Sequence, residues 1–243
     1  MSGSLVGGAA ARYPLRMNDR PATTPIVTLS IAVVLSGTGR TLANLLDHIE
    51  RGDLPVSVRC VIGSKLGIRG LEIAEAAGLP TQIVRRRDFA ESDAFSAAVW
   101  EAIAPYDVRL VVLGGFLHQL LVPPGWEGRV LNIHPSLLPA FGGKGMYGRH
   151  VHDAVLAHGC KVTGCTVHIC DDAYDAGPIV AQQCVPVLDD DTTETLGARV
   201  FTAECALYPA VIRAFAEGRI QQHGRRVTIA PGTSACRTTS GEE

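Results

Sequence analysis

Thr28–Leu42, TLSIAVVLSGTGRTL, is the stretch that decides the fold. Thr28–Leu35 is apolar and β-branched almost throughout, as in a strand buried on both faces. It runs into Ser36-Gly37-Thr38-Gly39, a glycine turn. Leu42, Leu45, Leu46 and Ile49 then recur at helical spacing, with Thr41 or a near neighbour as the start signal. Strand, glycine turn and helix in that order open an α/β unit.

The alternation continues outward. Strands are expected at Val56–Ile62, Thr81–Val84, Leu110–Leu113, Val130–Ile133, Val162–Cys170 and Ile179–Val187. Helices are expected at Arg69–Ala77, Ser92–Ala104 and His150–Ala157, and over Thr193–Glu217, where Pro209 should bend or break the helix. Residues 218–230 suit a hairpin. The pattern predicts an α/β fold: a mainly parallel twisted sheet with helices on both faces, Rossmann-like, in one domain spanning 28–230. Residues 1–27 and 231–243 read as disordered extensions. In such a sheet the working crevice lies at the carboxyl ends of the strands, just after Leu35, Leu113 and Ile133.

Composition narrows the partners. A formal net charge of −2 gives no electrostatic reason to bind nucleic acid or an anionic membrane. No apolar run approaches the length of a membrane-spanning helix. Seven cysteines (Cys60, Cys160, Cys165, Cys170, Cys184, Cys205 and Cys236) are scattered without a C-x-x-C, which fits reduced thiols in the cytoplasm. Small-molecule substrates are expected, on a monomer or homodimer, with no metal.

Three constellations carry chemistry. In Ser36–Leu42, Leu42 stands where a dinucleotide fingerprint needs a small residue, and the G-K-[ST] of a Walker loop is absent. What survives is a single phosphate on a short loop at a helix N-terminus, or a plain tight turn. In Leu131–Pro139, LNIHPSLLP, Asn132 and His134 are two apart on a strand and share a face. An amide and an imidazole there suit a carbonyl oxygen becoming an oxyanion, or a satisfied core histidine. In Asp171–Pro178, DDAYDAGP, three carboxylates occupy a turn; one of them against a histidine would raise its pKa, the plain alternative being a solvated acidic turn. His150 and His152 read as surface histidines, with a metal pair unsupported by a third ligand. His168 is either near the site or a hydrogen-bonded core residue.

Together these stretches closely resemble the phosphoribosylglycinamide formyltransferases of purine synthesis. Gly114-Gly115-Phe116, the T-V-H of Thr166–His168, and Glu204 near Tyr208-Pro209 agree as well, so the resemblance spans roughly residues 28–225. It implies transfer of a formyl group from 10-formyltetrahydrofolate to the amine of phosphoribosylglycinamide. It also implies catalytic roles for His134, Asn132 and Asp175, with Asp175 keeping His134 cationic. Gly39, Arg40, Thr41, Phe201, Thr202, Ala203 and Glu204 would bind the ribotide. Lys65, Leu117, His118, Gln119, Leu120, Asn132, Asp171, Asp172, Ala173, Tyr174 and Asp175 would bind the folate. Departures from the family pattern are Arg40-Thr41, His118-Gln119, the Tyr174–Gly177 turn, and the glycine-rich Phe141–Gly148, which suits a flap over the site. Methionyl-tRNA formyltransferase and formyltetrahydrofolate hydrolase share this chemistry; each usually carries a further domain.

Overall fold

A computed structural model describes residues 28–232. Residues 1–27 and 233–243 lie outside it, and with them the expected disordered extensions apart from Pro231 and Gly232. The elements are β1 (Leu29–Leu35), α1 (Arg40–Glu50), β2 (Val56–Gly63), α2 (Arg69–Ala76), β3 (Thr81–Ile83), α3 (Ser92–Ile103), β4 (Leu110–Leu113) and β5 (Val130–His134). They continue with α4 (Arg149–Ala157), β6 (Val162–Ile169), β7 (Ile179–Pro186), α5 (Thr193–Ala216), β8 (Ile220–His223) and β9 (Arg226–Ile229).

One seven-stranded sheet has the order β3-β2-β1-β4-β5-β6-β7. The strands from β3 to β5 are parallel; β6 and β7 are antiparallel additions. β8 and β9 form the expected C-terminal hairpin. Alternate residues of β1 feed two cores. Ile31, Val33 and Leu35 pack with Leu42, Leu45, Leu71, Val200 and Tyr208, under α1, α2 and α5. Ala32 and Val34 pack with Phe95, Val99 and Ile103 of α3 on the other face. A strand covered on both sides has no polar face to show, which is why Thr28–Leu35 reads as an unbroken apolar run.

The chain leaves β1 toward β2 through α1 on one face and reaches β4 through α3 on the other. The crevice that opens between strands whose connections diverge lies at their carboxyl ends, between β1 and β4.

α5 does not break at Pro209. Proline supplies no N–H for the carbonyl four residues earlier, that of Cys205. The side-chain amide of Asn44 in α1 donates to that carbonyl at 3.0 Å, so it is not orphaned. Tyr208, 1% exposed, shares its hydroxyl proton between the carbonyls of Leu113 (3.1 Å) and Leu131 (2.8 Å). That contact pins α5 to the ends of β4 and β5.

Candidate active site

A cavity of about 550 Å³ opens at the carboxyl ends of β1, β4 and β5, lined by the glycine turn, Asn132, His134, the acidic turn and part of α5.

The glycine turn is built by necessity. Gly39 has φ +72°, and a Cβ on it would stand 2.4 Å from the Cα of Gly70. Only glycine meets both conditions. Gly39 also caps α1, and no side chain bonds to the first-turn N–H groups; the first turn holds no acidic residue. This end of the helix is therefore ready for an anion. The start signal is Gly39, a near neighbour of Thr41, since α1 begins at Arg40. The Arg40 guanidinium lies over the Phe201 ring at 4.0 Å. Glu204, half-buried one turn along α5, has its carboxyl pushed up to about 7 by burial, against the opposing charge of Arg40.

Asn132, His134 and Asp175, the three residues expected to be catalytic, converge. β5 and β6 pair with Asn132 opposite His168 and His134 opposite Thr166, so the polar side chains are cross-strand neighbours. His168 Nδ1 donates to the Ile169 carbonyl at 3.1 Å. Its Nε2 is then an acceptor for the Asn132 amide N–H at 3.1 Å, and one N–H of Asn132 remains for another partner. His134, 3% exposed, donates from Nε2 to the Phe141 carbonyl at 2.8 Å. Its Nδ1 faces Asp175 Oδ2 at 3.5 Å, and the other oxygen of Asp175 lies 3.6 Å from His168. Nδ1 is thus the nitrogen left to take and give protons.

Asp175 and Phe141 both adopt positive φ, +51° and +54°. Asp tolerates this conformation and Phe does so rarely. Such strain persists only where the surroundings hold it, often at functional sites. The Gly143 N–H donates to Asp175 at 3.0 Å, and a Cβ at Gly142 would stand 2.5 Å from Leu138, so the glycine-rich loop closes tightly against the carboxylate. Burial raises the Asp175 carboxyl, but His168, His134 and the Gly143 amide together hold it below its ordinary pKa. Burial also pulls His134 below its ordinary pKa, and Asp175 and the Phe141 carbonyl only partly offset this. The expectation that Asp175 keeps His134 cationic is therefore corrected: Asp175 pulls that way, but removal from water outweighs it.

The two expected folate segments meet. The Gln119 backbone N–H donates to the Tyr174 hydroxyl oxygen (3.2 Å), and its side-chain amide donates to the Asp172 carbonyl (2.6 Å). The Val122 N–H reaches the Asp172 carboxylate at 3.4 Å, and the Ala173 N–H that of Asp171 at 3.1 Å. Leu117, His118, Gln119, Leu120, Asp171, Ala173 and Tyr174 line the cavity; Asp172 does not, being spent on that tie. Thr202 and Ala203 do not line it either. Thr202 is exposed and donates to the Ala198 carbonyl, while Ala203 packs into the core, because consecutive residues of α5 face different ways. Lys65 lies in an adjoining cavity with Arg85, Arg86 and Arg87, joined to the main one through His118.

His150 is exposed as expected, but His152 is buried and lines the cavity. Residues two apart on a helix point to different faces, so the pair divides between solvent and core. The signal that would have found His152 was its phase with Val151 and Val155 on the buried side of α4. Burial pushes the Cys60 thiol up to about 11 and the Cys165 thiol up to about 12, which disfavours their thiolates. Among the described residues no group of three His, Cys, Asp or Glu stands ready for a metal ion.

Residues 29–212 match the formyl transferase family. The chain is 43% identical over 214 residues to a phosphoribosylglycinamide formyltransferase of Mycobacterium tuberculosis, covering 84% of this chain and 96% of that protein. It is 39% identical over 195 residues to the trifunctional purine biosynthetic protein adenosine-3 of Gallus gallus, covering 79% of this chain. The chain spans only 19% of that longer protein's length. Among solved structures it resembles glycinamide ribonucleotide transformylase 1 from Symbiobacterium toebii, with a TM-score of 0.78 and 40% identity over 84% of this chain and 95% of that one.

Proposed function

The chain belongs to the formyl transferase family, and from that we propose that it transfers the formyl group of 10-formyltetrahydrofolate to the amine of phosphoribosylglycinamide. The observation that carries this reading is the Asp175 carboxylate between His134 and His168, with Asn132 beside them, at the floor of a cavity with an uncapped helix N-terminus at its other end.

The ribotide phosphate takes the first-turn N–H groups of α1 and the Arg40 guanidinium. Thr41 lines the same end of the cavity and Glu204 stands where a ribose hydroxyl would donate. The folate ring system lies against Leu117–Leu120 and the Asp171–Tyr174 turn. The glutamate carboxylates of the folate suit the adjoining cavity of Lys65, Arg85 and Arg86, since all are cationic. The glycine-rich loop over Phe141–Gly148 forms the wall between the acidic turn and α4; reduced proteolysis of it with both substrates bound is expected if it closes.

The substrate amine attacks the formyl carbon, and the free N–H of Asn132 and the Nδ1–H of protonated His134 stabilise the oxyanion that forms. His134 then passes that proton to the folate nitrogen as the C–N bond breaks and regains one from the attacking amine, which sheds it to become the formamide; Asp175 stabilises the imidazolium meanwhile. No protein nucleophile takes part. The family relatives favour this acceptor over transfer RNA or water.

The test is an acceptor competition: purified protein, 10-formyltetrahydrofolate, and glycinamide ribotide, initiator methionyl transfer RNA and water as alternatives. Formylation of the ribotide should dominate by orders of magnitude. Folate release that does not depend on the ribotide would replace this reading with the hydrolase one.

A further inference from the structure

His152 is a buried histidine that the mechanism above leaves unused. It sits on α4, 7% exposed, and lines the cavity against Gly197 of α5, one turn before Phe201, whose ring carries the Arg40 guanidinium. Its Nδ1 is sealed from solvent with no hydrogen-bond partner. Its Nε2 makes no hydrogen bond within the protein but is not among the sealed atoms, so Nε2 is the nitrogen open to the cavity. A buried N–H without a partner is rarer and costlier than a buried lone pair without one. The proton of the neutral ring therefore belongs on Nε2, which turns a donor into the cavity.

The seat for this ring is built into the neighbouring helix. Gly197 lies inside α5, where glycine costs roughly 1 kcal/mol against alanine. A Cβ on Gly197 would stand 3.1 Å from His152 Cδ2 and 3.3 Å from Nε2. The helix forgoes a side chain where the imidazole needs room. Burial keeps the ring below its ordinary pKa; Asp153 opposes this, while Arg40 and His134 add to it.

We infer that His152 is a ligand for the substrate's phosphate, donating from Nε2 to an anion held by the α1 N-terminus and Arg40. This rests on the ribotide reading above, and it adds a third arm from α4 to a site otherwise built on α1. The arms come from two separate elements, α1 and α4, and meet at one end of the cavity, so the contact discriminates for the phosphorylated substrate.

The test compares glycinamide ribotide with its dephosphorylated riboside in wild type, His152→Leu and His152→Gln. Losing one hydrogen bond to a charged group should raise KM for the ribotide at least about tenfold in His152→Leu. KM for the riboside, KM for the folate and kcat should stay within about threefold, and His152→Gln, which keeps an amide donor near the Nε2 position, should recover most of the loss. Gly197→Ala, whose Cβ would stand 3.1 Å from the ring and crowd it by a few tenths of an ångström, should raise KM for the ribotide and not for the riboside if His152→Leu folds poorly. Equal losses for ribotide and riboside, or no loss in either variant, overturn the assignment. Independently of turnover, inorganic phosphate should shift the ring nitrogen resonances of His152 in wild-type protein; their silence also overturns it. A wild type that ignores the ribotide yet shows this shift would sink the acceptor assignment and leave the phosphate site standing.

Discussion

Asp175→Asn isolates the charge of Asp175 from its shape. Asparagine is nearly isosteric and tolerates the positive φ of this position, and its side-chain oxygen still accepts the Gly143 N–H. The negative charge beside His134 is lost, and an NH2 replaces the oxygen that faced His168. Two unit charges 3.5 Å apart interact by roughly 5 kcal/mol at an effective dielectric near 20. Asp175 is 12% exposed, and local water screens it, so the effective attraction is smaller than this. Burial already holds His134 below its ordinary pKa, and without Asp175 it falls further. In the proposed mechanism the imidazolium is the active form, so the rate declines as pH rises through that pKa, and the declining limb moves to lower pH in the variant. At neutral pH kcat should fall by about 10² to 10³, with KM for both substrates within about threefold. Steady-state rates over a range of pH, with a melting curve to show that folding is intact, measure all of this. A variant with kcat within tenfold of wild type and an unmoved pH profile would refute the role given to the carboxylate.

Further outcomes follow from the same geometry. His134→Ala removes an oxyanion donor and the proton carrier, so turnover should drop at least about 10²-fold; retention of more than a tenth of it in single-turnover assays excludes that role. Glu204→Gln should change the pH dependence of stability. The folded carboxyl titrates near 7, above its unfolded value, so its stabilising effect is full below the unfolded pKa and is lost as pH rises to about 7. The melting temperature of wild type relative to the variant should therefore fall between about pH 4.5 and 7, by at most ~3 kcal/mol in stability; parallel curves count against a buried acid. Asn44→Leu leaves the Cys205 carbonyl without a donor at Pro209 and should cost about 1–3 kcal/mol in urea unfolding, whereas no change would mean that the helix needs no such support.

Much of the architecture was legible because its signals are local. The unbroken apolar run of β1 and the glycine turn after it report burial and backbone geometry within a few residues, so strand, turn and helix were readable in place. The shared face of Asn132 and His134 follows from strand periodicity alone. Pro209 misled because its helix-breaking effect is local, while the remedy comes from Asn44, far away in the chain.

What the chain decided by itself is the order of its elements and the kinds of group that stand at their ends. Only the packed structure decided which nitrogen of His134 is free, that Thr202 and Ala203 face away from the cavity while Lys65 serves a neighbouring one, and that His152 looks inward against Gly197. Periodicity tells which side of an element is buried, but it does not say what it is buried against; distances across separate elements, and the desolvation that sets a pKa, come into being only when those elements close on one another.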